Sequence, residues 1–327
     1  MALPPILFAL ASVAAGSNPQ LTAALSAARG GEHIVLRPGN YGQVVVRNRT
    51  WQQPVTIESA DPTKPATITR LVVTNTTGLT FRNIRFSRAL GSEASWARIA
   101  EVSGGANISF IGGWFYSTLD NNPLNDMQGL MARGTTGLTV AGVKFQDLSV
   151  GITCDDCSKF TIENNVFSFI GVDAIDIPGA RGGRIATNMF HSFRPVPKAH
   201  PDGIQCWTSG KRSGCKDVTI FSNTFIGDPG HEFQGVFLGD EDNVGGYERI
   251  TIAYNTFRCT MWNAVYLGGA SSSISILNNK IFAGPKYRPW FRTISPVNIM
   301  FNVAPDYMIQ NRRGVPAHNS LGGEFVR

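Results

Sequence analysis

Two short segments hold the residues best suited to acid–base chemistry. GVDAIDI carries Asp173 and Asp176, and AHPDGIQCW carries His200, Asp202, Gln205 and Trp207. When DAIDI and DGIQC are aligned, Asp173 and Asp202 share one position of a common pattern, and Asp176 and Gln205 share another. Carboxyl groups about 5 Å apart repel, which raises one pKa and leaves a proton donor beside a base; splayed to roughly 6.5–9.5 Å, they leave room for an attacking water. The candidate catalytic residues are therefore Asp173, Asp202, Asp176 and His200, the last paired with Glu232 two positions upstream of equivalent strands. Gln205, Arg194, Lys198, Lys211, Arg212, His231 and Glu232 flank them and suit an anionic ligand, and the Trp207 ring offers a flat apolar face. The plainer reading is also open, because an aspartate before glycine is an ordinary turn residue and Asp202 alone fits a turn. The acidic GDEDN of residues 239–243 reads as a solvated loop, and no residue is assigned to a resident metal.

These residues are positioned by a repeat. Phrases such as GLTVAGVKF, KFTIENNVF, DVTIFSNTF and RITIAYNTF recur from Phe86 to Ile281, spaced 22 to 35 residues apart. Each alternates apolar and polar residues and ends on a large apolar residue after a turn, as a half-buried strand does. Strands repeated at this period without intervening helices predict a parallel β-helix, whose coils stack about 4.8 Å apart. Equivalent positions then become ladders. One is the Phe/Ile column; two residues before it, Asn165, Asn188, Asn223, Asn255 and Asn279 form an asparagine column, whose amides can bond one another and the turn backbone. In the strand preceding each phrase, Ile175, Ile177, Ile204, Cys206, Val236 and Leu238 point inward, which displays Asp176, Gln205, Trp207, Phe237 and Tyr266. At the N-terminal end, Asn18 caps a helix with Pro19 in its first turn and Gly30 after it, and that helix plugs the open end of the solenoid.

Composition agrees with a turn-rich all-β chain: 327 residues, 35 glycines, 18 prolines, 20 phenylalanines, 43% hydrophobic and 16% charged. The formal charge of +6 suits an acidic polymer, but no dense Lys/Arg stripe points to nucleic acid. Of five cysteines, Cys154/Cys157 and Cys206/Cys215 can each close a disulfide and leave Cys259 over; we read them instead as buried and reduced. The apolar start, MALPPILFALASVAAG, lacks a basic n-region and is read as a retained, packed segment. No other stretch is long and apolar enough to span a membrane.

The N-terminal helix followed by GGEHIVLRPGNYGQVVV, the PVTIESADPTKPATI segment and the ensuing coils resemble right-handed parallel β-helix proteins of the pectate lyase-like superfamily, which includes polysaccharide lyases, glycoside hydrolases and phage tailspikes. The resemblance implies a single-stranded right-handed parallel β-helix over 17–285 with an N-terminal capping helix; outside it lie the apolar segment at 1–16 and, where the repeat is lost, a segment at 286–327 read as a C-terminal cap or attachment. A narrower likeness is to polygalacturonase-type hydrolases. Asp173 in GVDAIDI matches the aspartate of their Asn-Thr-Asp motif, Asp202 matches one acid of their Asp-Asp motif with Pro201 in place of the other, and Gly230–His231 resembles their Gly-His-Gly; no Arg-Ile-Lys motif follows. The function implied is hydrolysis of an acidic extracellular or surface polysaccharide by Asp173 and Asp202. Two alternatives stay open: a β-eliminating lyase in which Asp173, Asp176 and Asp202 hold Ca²⁺, and a virion tail spike or fibre that binds glycan without cutting it. The resemblance also leaves open a homotrimer or attachment to a larger virion assembly.

Overall fold

A computed structural model of the chain describes residues 12–210, 212–258 and 260–323; Lys211 and Cys259 lie outside the described residues, as do positions 1–11 and 324–327. Each coil follows from the alternation in its phrase. In one, Thr161–Glu163 buries only Ile162, the chain turns at Asn164 and Asn165, and the strand Val166–Asp176 covers two further faces, bending at Phe169, whose φ is 55°. The next coil repeats the sequence one rung further on, with Ile162 beside Ile185, Phe167 beside Phe190 and Ile175 beside Ile204. Pairing between coils is parallel throughout the described strands, and the one antiparallel ladder is a hairpin joining Asp306–Ile309 to Arg312–Arg313. The chain is a right-handed parallel β-helix.

Both expected ladders are present. The rings of Phe86, Phe115, Phe145, Phe167, Phe190, Phe225 and Phe257 stack in register with centroids 4.4 to 5.1 Å apart, one per rung. In the asparagine column each Oδ1 accepts both the backbone N–H and the Nδ2 of the asparagine one coil earlier, while each Nδ2 also donates to a strand carbonyl; Asn223, for example, donates to Asn255 at 3.0 Å and to Ile185 O at 2.9 Å. A corner that would bury unpaired amides is thereby satisfied.

The column does not stop at Asn279. Asn302 and Asn319 extend it, and Phe291 and Tyr307 continue the inward side, so coils run on past residue 285, where the sequence reading ended them. Phe291, which lies in the segment read as a terminal cap, is fully buried. At the other end the helix Asn18–Ala27 buries Leu21 and Leu25 against the first coil. Ser17, not Asn18, occupies its N-cap position. Asn18 is used elsewhere: its amide donates to the carbonyls of Tyr41 and Gln43, tying the helix to the solenoid. The strand Ser12–Ala15 pairs with His33–Leu36, while positions 1–11 of the predicted N-terminal segment lie outside the described residues.

The cysteines correct the sequence reading. Cys154 is bonded to Cys157 and Cys206 to Cys215, with Cα atoms 5.4 and 6.5 Å apart. Inward parity makes Cys154 and Cys206 look like small core residues. Each nevertheless ends a strand at a corner, where the returning chain brings a second cysteine within bridging distance.

Candidate functional site

Asp173 and Asp202 are neighbours because the register sets Ile175 opposite Ile204 and Asp176 opposite Gln205. Their outward turn has a steric origin. A Cβ on Gly203 would stand 2.6 Å from Phe225 Cε1, and one on Gly235 would stand 2.5 Å from Phe257 Cε1, so these positions face the phenylalanine stack. The residue before each is thereby turned to the outer side, toward the column of Asp176 and Gln205. Asp202 N–H donates to Asp173 Oδ1 at 2.8 Å, which fixes the two carboxyl-bearing residues one coil apart.

The cluster is covered rather than displayed. Asp202 has no exposed surface, Asp176 is 5% exposed, Asp173 and Gln205 8% each. Neither oxygen of Asp202 nor Oδ1 of Asp176 has a hydrogen-bond partner among the described residues. Burial is the chief cause of the resulting pKa shifts. It lifts Asp173 to about 6 against the opposing pull of the Asp202 N–H and the His200 charge. It holds Asp176 well above the usual carboxylate range, with Asp173 repelling it further, and Asp202 likewise, with Asp173 and then Asp176 repelling it and the Gln234 amide pulling weakly the other way. An acid whose affinity for protons falls near neutrality thus adjoins two that keep theirs, a pattern that marks proton-transfer sites.

The flanking residues divide. His200 is exposed at the mouth of the cluster, its charge acting on Asp173 and its ring 6.4 Å from Phe237. Lys198 is exposed nearby, Glu232 is buried, and His231 is exposed in a tight turn bonded back to Asp228. Arg194 lies 4.7 Å over Phe169, and its charge acts on Asp147, not on the cluster. Arg212 sits at the opposite end of the strand, ion-paired with Asp155 at 2.7 Å and Asp156 at 3.3 Å, so it does not line the patch. Trp207 is half-buried at that same end, opposite Gly239. Lys211 lies outside the described residues. The three aspartates do not converge on a point where a cation could be held, nor does any other group of His, Cys, Asp and Glu among the described residues.

Sequence reasoning missed two features, one beside the cluster and one away from it. Gln234 and Asn263 continue the column of Asp173 and Asp202 on the next two coils, and each stands before a buried Gly or Ala, a signal visible in QGVFL and NAVYL. Further back, Asp126 is buried and lifted to about 6, mainly by desolvation.

Comparison with known proteins bears on the fold. The family model described as right handed beta helix region matches residues 128–293. No curated protein sequence matches. Among solved structures, PfbA, a surface adhesin of Streptococcus pneumoniae, is similar with TM-score 0.62 and 14% identity over 90% of this chain and 86% of its own. An endo-xylogalacturonan hydrolase from Aspergillus tubingensis gives 0.62 and 14% over 96% and 100%, and the A-module of the Azotobacter vinelandii mannuronan C-5 epimerase gives 0.58 and 12% over 97% and 96%. At such identities the likeness is one of fold.

Proposed function

Because this chain belongs to the right-handed β-helix family, we propose that it acts on polysaccharide, cleaving an acidic glycan with the Asp173–Asp202 pair. The observation that carries this reading is the cluster itself: three buried carboxyls on two coils, with orphaned oxygens and no compensating ion pair. A structural cluster of this kind would be neutralised by partners; an uncompensated one is a destabilising arrangement that function retains. Asp173, lifted to about 6 and retaining a little exposed surface beneath His200, takes the proton. Asp202, held protonated by burial and its neighbours, donates one, while Asp176, Gln205 and His200 orient sugar or water. Hydrolase and epimerase relatives in fold, whose names point to uronate-containing polymers, support the substrate class. Two disulfides suit an oxidising, extracellular or surface location.

The full burial of Asp202 favours a second reading, glycan binding without cleavage; a surface adhesin shares this fold. Asp173→Asn and Asp202→Asn decide between them on uronate polymers. Turnover falling by about three powers of ten in each variant, with the fold intact, supports cleavage. Parent-like turnover in both, or a parent that releases no reducing ends, removes it. Ultraviolet absorbance of the products separates elimination, which leaves an unsaturated sugar, from hydrolysis.

A further inference from the structure

The outer face of these strands continues beyond the carboxyls. Register carries Asp202 to Gln234, that strand to the one holding Asn263, and Asn263 to Trp290. Trp290 Nε1 donates to Asn263 Oδ1 at 2.8 Å, and Asn263 Nδ2 donates to Gln234 Oε1. An indole N–H only donates, so this line fixes the orientation of both amides, with Gln234 Oε1 as its last acceptor. Trp290 is itself part of an aromatic group. Trp262, 48% exposed, lies 5.8 Å from it and meets Tyr287 edge-on at 5.1 Å, with Lys286 Nζ 4.9 Å over the Tyr287 ring. Alongside, Phe237 and Tyr266 stack at 4.6 Å, and the Arg292 guanidinium lies 5.5 Å from Tyr266.

We propose that this group is a sugar-binding platform that holds an acidic polysaccharide two to three coils C-terminal of the carboxyl cluster, with Trp262 stacking on a sugar ring and Lys286 and Arg292 facing its carboxylates. The proposal rests on the polysaccharide reading above and adds where the chain lies. Three observations support it. The exposed indole is held by Tyr287 and by a Trp290 that is anchored through Asn263, so little side-chain freedom is lost on stacking. The platform is continuous with the cluster: at about 4.8 Å per rung Trp262 stands two rungs, roughly 10 Å, along the axis from Asp202, close to two units of an extended polysaccharide, and Trp290, Lys286 and Arg292 stand one rung further. The cations at its edges, opposed nearby by Glu232, match a uronate polymer better than a neutral one.

Affinity electrophoresis in gels containing polygalacturonate, alginate or a glucuronate polymer tests this on the parent, Trp262→Ala and Trp262→Phe. The expected result is retardation of the parent by at least one polymer, about tenfold weaker binding for Trp262→Ala, and partial recovery in Trp262→Phe, with unchanged circular dichroism. Equal retardation of parent and Trp262→Ala overturns the platform and leaves the functional reading standing. A parent retarded by none of the three overturns both. Loss of self-association in Trp262→Ala with unchanged retardation overturns the platform and makes Trp262 a contact between copies. A parent that is retarded through Trp262 but never cleaves supports the platform while ending the cleavage reading.

Discussion

Replacing Asp173 with asparagine removes a carboxyl that burial holds at about 6, against ~3.9 for an exposed aspartate. A difference of about two pKa units corresponds to roughly 3 kcal/mol. Between these values the folded chain keeps the proton and the unfolded chain releases it. The parent is therefore most favoured below pH ~4 and loses this contribution as pH rises through about 6. Asparagine resembles the protonated acid: its Oδ1 can still accept the Asp202 N–H, and its added NH2 lacks an assigned partner, a loss of about 1 kcal/mol. The variant should thus match or slightly trail the parent at pH 4 and exceed it by about 2 kcal/mol at pH 8. Urea unfolding followed by circular dichroism at pH 4, 6 and 8 measures that difference. A variant less stable than the parent at pH 8, or a difference that does not grow with pH, would show that Asp173 is not a buried, uncompensated carboxyl.

Two further outcomes are expected. Asn223→Leu leaves the Asn188 N–H, the Asn188 amide and the Ile185 carbonyl without their partner, and should lower stability by about 3 kcal/mol or more, measured by urea unfolding. Cys206→Ser opens the short loop closed with Cys215 and should cost about 2–3 kcal/mol in unfolding free energy; dithiothreitol should lower the parent's midpoint but not shift the variant's to the same extent.

The parts legible in the sequence are those governed by register. Phe167, Phe190 and Phe225 recur because each rung needs the same ring in the same place, and the interval separating Asp173 from Asp202 fixes their adjacency as firmly as it fixes Ile175 beside Ile204. What lies over a strand is not periodic. The burial of Asp176 and Gln205, on positions whose parity faces outward, is announced by no repeat. Arg212 illustrates the same gap: its nearness in sequence to Asp202 concealed that it follows the far end of the strand and meets Asp155. The cysteines were ambiguous for another reason, since inward parity fits a thiol and a disulfide equally and only the corner geometry separates them. Beyond 285 the pattern changes vocabulary, Tyr307 serving below Phe291 and Asn319 following Asn302 after 17 residues, so the last coils do not look like copies of the first.

The asparagine column has one further consequence, which concerns how such a chain can change. Every coil presents the same two donors to one neighbour and the same acceptor to the other, from Asn165 through to Asn319. A whole coil can therefore be removed or duplicated without leaving a mismatched end, provided the cut falls at equivalent asparagines. Insertions between those points are indifferent to the column, which accepts intervals of 35 residues as readily as 23. Length and loop content are separately adjustable in this architecture, and the coil bearing Asp202 is in that sense a transplantable unit. Moved between other coils of the stack, it would arrive with its amide polarity already matched above and below.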